Sequence, residues 1–412
     1  MTTPSLARVI SGWLGLALAL AGATTARADS ATPATGQVSA GPNHTLVLKS
    51  DATVWAWGKN NLGQLGDGTT ALRTAPVQVS GLSGIVAVAA GRVHSLALAK
   101  DGKVWAWGDN SSGELGDGTT VTRLRPVLVS TLSGITAIAA GGRFFSVALK
   151  SDGTVSTWGE NAFGQLGDGT NTPRLRPVPV PNLASVTAIS AGRGHVLALI
   201  SDGAVYAWGW NGIGQLGDGT QIDRTRPVRV RNLTAAIAIS AGSLTHSLAL
   251  RSDGLVLAWG NNYSGQHGDA TLPQRPTPTV VPDLGGIVAI SAGSSHNVAI
   301  TSGGAVFAWG SNLIGQLNLR TPIEHVRATR SDNWPQDTVM FSASGDRTVV
   351  LTTSGKILSV GNGDSGQWGD GTVMGTSTVY GNEESQSAFV ERPCDWTLTA
   401  SDWHEARDFS AR

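Results

Sequence analysis

One phrase recurs along the chain. WGKNNLGQLGDGTT, Trp57 to Thr70, returns as WGDNSSGELGDGTT from Trp107, WGENAFGQLGDGTN from Trp158 and WGWNGIGQLGDGTQ from Trp208. Weaker copies follow: WGNNYSGQHGDATL from Trp259, WGSNLIGQLNLRTP from Trp309 and VGNGDSGQWGDGTV from Val360. Their starts are separated by alternating steps of 50 and 51 residues. A second series, His44, His94, Phe145, His195, His246, His296 and Arg347, keeps the same steps. A fixed period of this kind means a solenoid, a propeller or an array, and it overrides any domain count taken from length.

The pattern inside one unit is that of short strands. In the second copy, IVAVAA (Ile85 to Ala90) is continuously apolar, as a strand covered on both faces would be. HSLALA (His94 to Ala99) alternates, and Asp101-Gly102 links it to KVWAWG. Asp-Gly between two such runs predicts a two-residue hairpin turn with both residues at positive φ. RPVLVS (Arg125 to Ser130) supplies a fourth strand, with Pro126 suited to its start or to an edge. Four antiparallel strands per unit, seven times over, predict an all-β fold: a seven-bladed β-propeller with four antiparallel strands per blade. Closing the ring removes the sheet edges that an open solenoid would have to cap.

The consensus AAGxxHSLAL, DGxVxAWGxNxxGQLGDGT and RPVxV resembles the regulator-of-chromosome-condensation repeat family, over about residues 37–380. That resemblance implies seven blades of four strands. The chain departs from the pattern at Phe145, at NLRT (Asn318 to Thr321) in unit six, and at Arg347 and Val360 in unit seven. Blades six and seven are therefore expected to be less regular.

Residues 1–28 read as a signal peptide: Arg8, an apolar run, then Ala-Arg-Ala before Asp29. Residues 29–36 would be a short linker, 37–380 the propeller, and 381–412 a non-repeat tail that could pack, supply a closing strand near AFVER, or stay mobile. The expected location is secreted or periplasmic, with no membrane span after cleavage. The lone Cys394 forms no internal disulfide, so stability must come from the core. Lys plus Arg and Asp plus Glu are 29 each, which argues against nucleic acid as partner. A monomer is expected.

Repeated positions read as scaffold. The WG tryptophan offers apolar area and an N–H for a carbonyl, and the glycines of GQLGDG permit tight turns. Each loop offers one carboxylate (Asp67, Asp117, Asp168, Asp218, Asp269, Asp370), not the alternating set that calcium needs, so each Asp is expected to cap its own turn. The histidines would stay apart around the axis, each bonded to local backbone, so no metal is expected. Ser365 in GDSG falls where the first unit has Leu62, and no catalytic residue or cofactor is assigned.

The variable positions are different. Antiparallel order brings the first-to-second and third-to-fourth strand connections to one end of every blade. The inner of these connections carry Asn43, Arg92, Val93, Arg143, Phe144, Arg193, Leu244 and Asp346. The outer ones carry Lys59, Leu62, Asp109, Glu160, Phe163, Trp210, Ile213, Tyr263, Leu313 and Ile314. Aromatic, arginine and large apolar residues of this kind favour protein contact. The leading expectation is therefore an exported, non-enzymatic protein-binding propeller, inhibitor-like by resemblance to secreted members of the family. Two alternatives stay open. One is guanine-nucleotide exchange on a small GTPase, an activity that the resemblance implies, although the constant spacing leaves no room for an inserted wedge. The other is a carbohydrate or anionic ligand bound by Arg92, Arg143 and Arg193, unless those arginines pair with Asp109 or Glu160.

Overall fold

The computed structural model describes residues 26–27, 36–269, 274–319 and 324–373. They form a seven-bladed β-propeller, one antiparallel sheet per repeat, with no helix among the described residues. Blades 1 to 6 span residues 37–78, 85–128, 135–179, 186–229, 236–280 and 287–331, with four repeat strands each in chain order from the axis outwards. Blade 7 shows three strands over residues 338–361; the tail, with its proposed closing strand, lies outside the described residues. In blade 3 the two-residue strand Ala26–Arg27 adds to the innermost strand, pairing with Ile138 and Ala137.

Blade 2 shows how the sequence makes the sheet. Ile85–Ala90, His94–Ala99 and Val104–Gly108 are mostly buried, because neighbouring blades cover both faces. The alternation in HSLALA therefore does not mark a wet face; its polar member, Ser95, lies in the seam between blades. The Asp-Gly hairpin also differs from expectation. Only Gly102 takes positive φ (79°), and Gly102 N–H bonds to Ala99 O while Ala99 N–H bonds to Lys103 O. This is a three-residue loop, a turn closed by a left-handed glycine.

The seams carry the repeat's most constant chemistry. At the seam of blades 2 and 3, Trp158 Nε1–H donates to the carbonyl of Glu114 (2.8 Å), and Ser146 Oγ–H donates to the same oxygen (2.8 Å). His94 Nε2 from blade 2 meets Ser146 Oγ at 3.0 Å. The same triangle joins His44, Ser95, Gln64 and Trp107, and again His195, Ser247, Gln215 and Trp259. His246 uses Asn297 in place of Ser, with Gln266 and Trp309. The histidines thus bond across to the next blade rather than to local backbone. Burial holds His44, His195 and His296 down to about 3 and His94 and His246 to about 4, so each ring enters its seam neutral. The ring lies so close to the first glycine of its connection that a Cβ on Gly91 would come within 2.7 Å of it.

Substitutions in the series are matched across the seam. Phe145 replaces His where the next blade offers Val196 instead of Ser, and both belong to one buried apolar cluster. Arg347 replaces His where blade 7 meets blade 1. Its guanidinium, wholly buried, donates to the carbonyls of Gly41, His44 and Gln367 and to Thr45 Oγ1 (2.8 Å). Trp57 Nε1–H completes this last seam on Gln367 O at 2.9 Å.

Blade 6 keeps four strands despite losing GDGT, because Asn318 takes the left-handed turn position (φ 52°) that Gly66 holds in blade 1.

His267 stands where five other units place a buried Leu (65, 115, 166, 216 and 317). The ring is 1% exposed, and neither nitrogen has a partner of hydrogen-bond geometry, although the Trp259 backbone acts on it. An unsatisfied buried polar ring costs about 1–3 kcal/mol. His267→Leu is therefore expected to raise unfolding free energy by about 1 kcal/mol or more, read from denaturant melts; an unchanged or lower midpoint contradicts this placement.

Candidate protein-binding face

In blades 1 to 4 the outer connection on the loop face is a closed knot, as blade 1 shows. Asn60 Oδ1 accepts Leu65 N–H, and its Nδ2 donates to Asp67 and to Thr69 O. Asp67 Oδ1 accepts Thr69 N–H at 2.9 Å, as a turn-capping Asp should, and Arg73 clamps its other oxygen at 2.8 Å. Asp117–Arg123, Asp168–Arg174 and Asp218–Arg224 repeat the clamp. Partial burial alone would raise the Asp67 carboxyl, but bonds from Thr69, Arg73 and Asn60 outweigh it and hold the group below its ordinary value. The arginine half of this device is not evident from the sequence motif. Among the described residues no group of three or more His, Cys, Asp or Glu is placed to hold a metal ion.

The inner connections meet over the axis. Gly142 N–H donates to Gly192 O, Ser243 N–H to Gly293 O and Ser294 N–H to Gly345 O, and Gly345 N–H reaches Ser243 Oγ two blades away. Asn43 Nδ2 reaches Arg92 O. These bonds tie neighbouring inner connections together around the axis.

The structure brings part of the expected set together. Arg143 sits 4.5 Å over the Phe163 ring and bonds Glu160 at 3.3 Å, and Phe163 lies 5.8 Å from the Trp210 ring on the next blade. Trp210 therefore packs across a seam, not only on its own loop. Arg92 is exposed and Arg193 half-buried, and neither shows an ion pair. Asp109 pairs with no arginine; it caps its own loop through Asn110 N–H and the Ser111 hydroxyl. Lys59 and Leu62 on blade 1, Ile213 on blade 4 and Leu244 on blade 5 are half-buried, and no contact joins them to the Arg143–Phe163–Trp210 cluster among the described residues. Phe144 is half-buried at a φ of 53°, a left-handed conformation unusual for a bulky residue. Tyr263 (65% exposed) and Leu313 (61%) project freely.

Sequence reasoning missed three residues of this face. Leu72, Val121 and Ile222 follow the GDGT turns and are 45%, 56% and 63% exposed. With Tyr263, Leu313 and Val373 they put six of the eleven exposed large apolar side chains among the described residues on the outer connections. The signal was available: an apolar residue after a polar turn where no strand needs one.

Ser365 lies in the outer connection of blade 7, its N–H bonded to Gln367 Oε1 as Leu62 N–H is to Gln64 Oε1. The RCC1-like domain profile matches residues 23–245, and the regulator of chromosome condensation (RCC1) repeat matches residues 236–266, 253–300 and 287–316. The chain belongs to the RCC1-repeat family. Within that family, Prp20p from Saccharomyces cerevisiae superposes with a TM-score of 0.66 at 25% identity, over 80% of this chain and 83% of that one. Human WBSCR16 gives 0.68 at 21% identity, over 79% and 93%, a likeness of fold. Among curated proteins, the mitochondrial RCC1 domain-containing protein RUG3 of Arabidopsis thaliana is 31% identical over 37% of this chain and 24% of its own length. E3 ubiquitin-protein ligase HERC2 of Homo sapiens is 33% identical over 62% of this chain but 3% of its own length. The RCC1 repeats of this chain thus span a quarter or less of these curated relatives.

One residue gives the face a pH response. Glu114 replaces the Gln of the other units; its Oε2 accepts Ser112 N–H while Oε1 is buried without a partner. Burial pushes the carboxyl up to about 7, helped by Asp109 and Glu160. A carboxyl raised in the fold from 4.5 to about 7 makes the fold lose stability as pH climbs through that interval. Glu114→Gln should therefore stabilise by about 2 kcal/mol at pH 8 and by little below pH 4.5, read from melts at both pH values. Equal gains at both would show that ionisation is not the cause.

Proposed function

We propose that this RCC1-repeat propeller is an exported protein-binding module, and that it docks its partner on the loop face formed by the inner and outer connections. The observation that carries the reading is the concentration of exposed apolar side chains on the outer connections, beside the Arg143–Phe163–Trp210 stack. Rigid knots that display aromatic and arginine side chains suit interface hot spots, where one anchor contributes about 2 kcal/mol or more. Seven seams stabilise the scaffold independently of these positions, so the face can vary without loss of fold. The leader-like residues 1–28 support export, and mature protein should begin at Asp29.

A second reading, exchange on a small GTPase, is favoured by the likeness to Prp20p, whose structure was described together with its binding to Gsp1p and histones. The same experiment separates the two. Residues 29–412 and a Phe163→Ala, Trp210→Ala variant of equal melting temperature serve as baits in extracytoplasmic and cytoplasmic extracts of the native organism. A partner from the extracytoplasmic extract, kept by the wild type and lost by the variant, is expected. A cytoplasmic GTPase as the retained protein would support the second reading, and identical capture by both baits would overturn the assignment of the face. Trp208, two residues earlier and wholly buried, is the contrast: its change to Ala should cost about 3–5 kcal/mol.

A further inference from the structure

The innermost strand of each blade presents its outer edge, a row of backbone N–H and C=O groups, to the central shaft. Such an edge invites another strand unless something covers it. Five seams cover it with a hydroxyl: Ser39, Ser190, Ser240, Ser291 and Ser342 Oγ accept the N–H of Ala90, Ala241, Ala292, Ala343 and Ala40 on the next blade, at 2.9–3.0 Å. In blade 2 the edge is covered twice, since Gln37 Oε1 also accepts Val88 N–H at 2.9 Å.

Two seams lack the hydroxyl. Ala89 and Ala139 stand in the serine position, before blades 3 and 4, and Ala87 stands where blade 1 has Gln37. Nothing from blade 2 can therefore cap the blade 3 edge at Ile138 and Ala140, the counterparts of Val88 and Ala90. That edge is where Ala26–Arg27 pairs, antiparallel, with Ala26 opposite Ile138 and Arg27 opposite Ala137. The added strand also lies against Ile85–Ala90 of blade 2, the strand that carries the two alanines.

We propose that the inner edge of blade 3 is a strand-addition site, and that its occupant in the uncut chain is the chain's own segment around Ala26–Arg27. Main-chain pairing gives such a site its affinity; the missing Ser and Gln leave the blade 3 edge open, as they do that of blade 4, and the pairing of Ala26–Arg27 singles out blade 3. Processing after Ala28 would remove this strand, so the site is filled in the precursor and vacated in the exported form. The segment acts inside the shaft, on the axial side of the blades, and is separate from the loop-face reading.

Amide hydrogen exchange tests this directly. The full chain, produced without export so that residues 1–28 are retained, is compared with its Ala26→Pro variant, Ala26 being the residue opposite Ile138. Proline there removes an N–H and restricts the backbone of a segment outside the repeats, so the blades are left intact. The Ile138 amide is expected to exchange at least about tenfold faster in the variant, while Val88, capped by Gln37, is unchanged. A synthetic peptide of residues 22–33, added to the variant, should restore the slow rate. Equal Ile138 exchange in the two proteins, whether fast or slow, would overturn the proposal, as would Val88 and Ile138 changing together.

Discussion

The carbonyl of the Gln in GQLGDGT, or of Glu114 in its place, is the point on which a blade seam turns. At five seams it receives both an indole N–H and a hydroxyl or amide from the next blade, whereas Gln165 receives the Trp208 indole and Gln316 the Thr348 hydroxyl. Both donors and the acceptor are buried, so leaving any one of them unpaired would cost about 1–3 kcal/mol. The seam therefore admits one relative placement of two blades. Repeating it with a constant period produces a ring rather than an array of loosely stacked sheets.

That constraint explains which residues repeat and which drift. The tryptophan must reach the carbonyl, the glycines must let the loop turn beneath it, and the asparagine and Asp–Arg clamp must hold the loop rigid. None of these side chains is spared for a ligand. The positions between them lie outside the buried hydrogen-bond triangle, so they can carry Arg, Phe, Trp, Tyr or Leu without disturbing it. At the one seam that joins the two ends of the repeat array, a buried Arg347 replaces a neutral His and ties four acceptors together. Burial lowers its pKa to about 9, yet it stays charged at neutral pH, and every strong donor direction is used.

Much of this was legible because period, turn residues and apolar runs are local properties. The seven blades, the four-strand unit, the turn-capping Asp67 and the shared face of the two sets of connections all follow from them. What joins residues about 50 positions apart was not legible. His94 meeting Ser146, and Phe145 meeting Val196, are pairings between copies, and a single copy read alone shows only a His before an apolar strand. The hairpin differs from expectation for a related reason: Asp101-Gly102 suits two loop lengths, and the strand register decides between them. On the candidate face, Arg143 and Glu160 do pair, but Asp109 turns back on its own loop, because two of its own backbone and hydroxyl donors lie nearer than any guanidinium.

The central claim is that His and its partner across the seam act as a pair, and the seam of blades 3 and 4 can test it. Phe145→His, Val196→Ser and the double variant would be compared by equilibrium unfolding. His246 stands after an inner connection of the same length as that of Phe145, so the ring has a precedent at this geometry. Phe145→His alone places a buried nitrogen against the Val196 methyls, whereas the double variant rebuilds the bond that His195 makes to Ser247. The account predicts a favourable coupling of about 1 kcal/mol or more between the two changes. Additivity within about 0.5 kcal/mol would show that the two sides of the seam are chosen independently, and would contradict it.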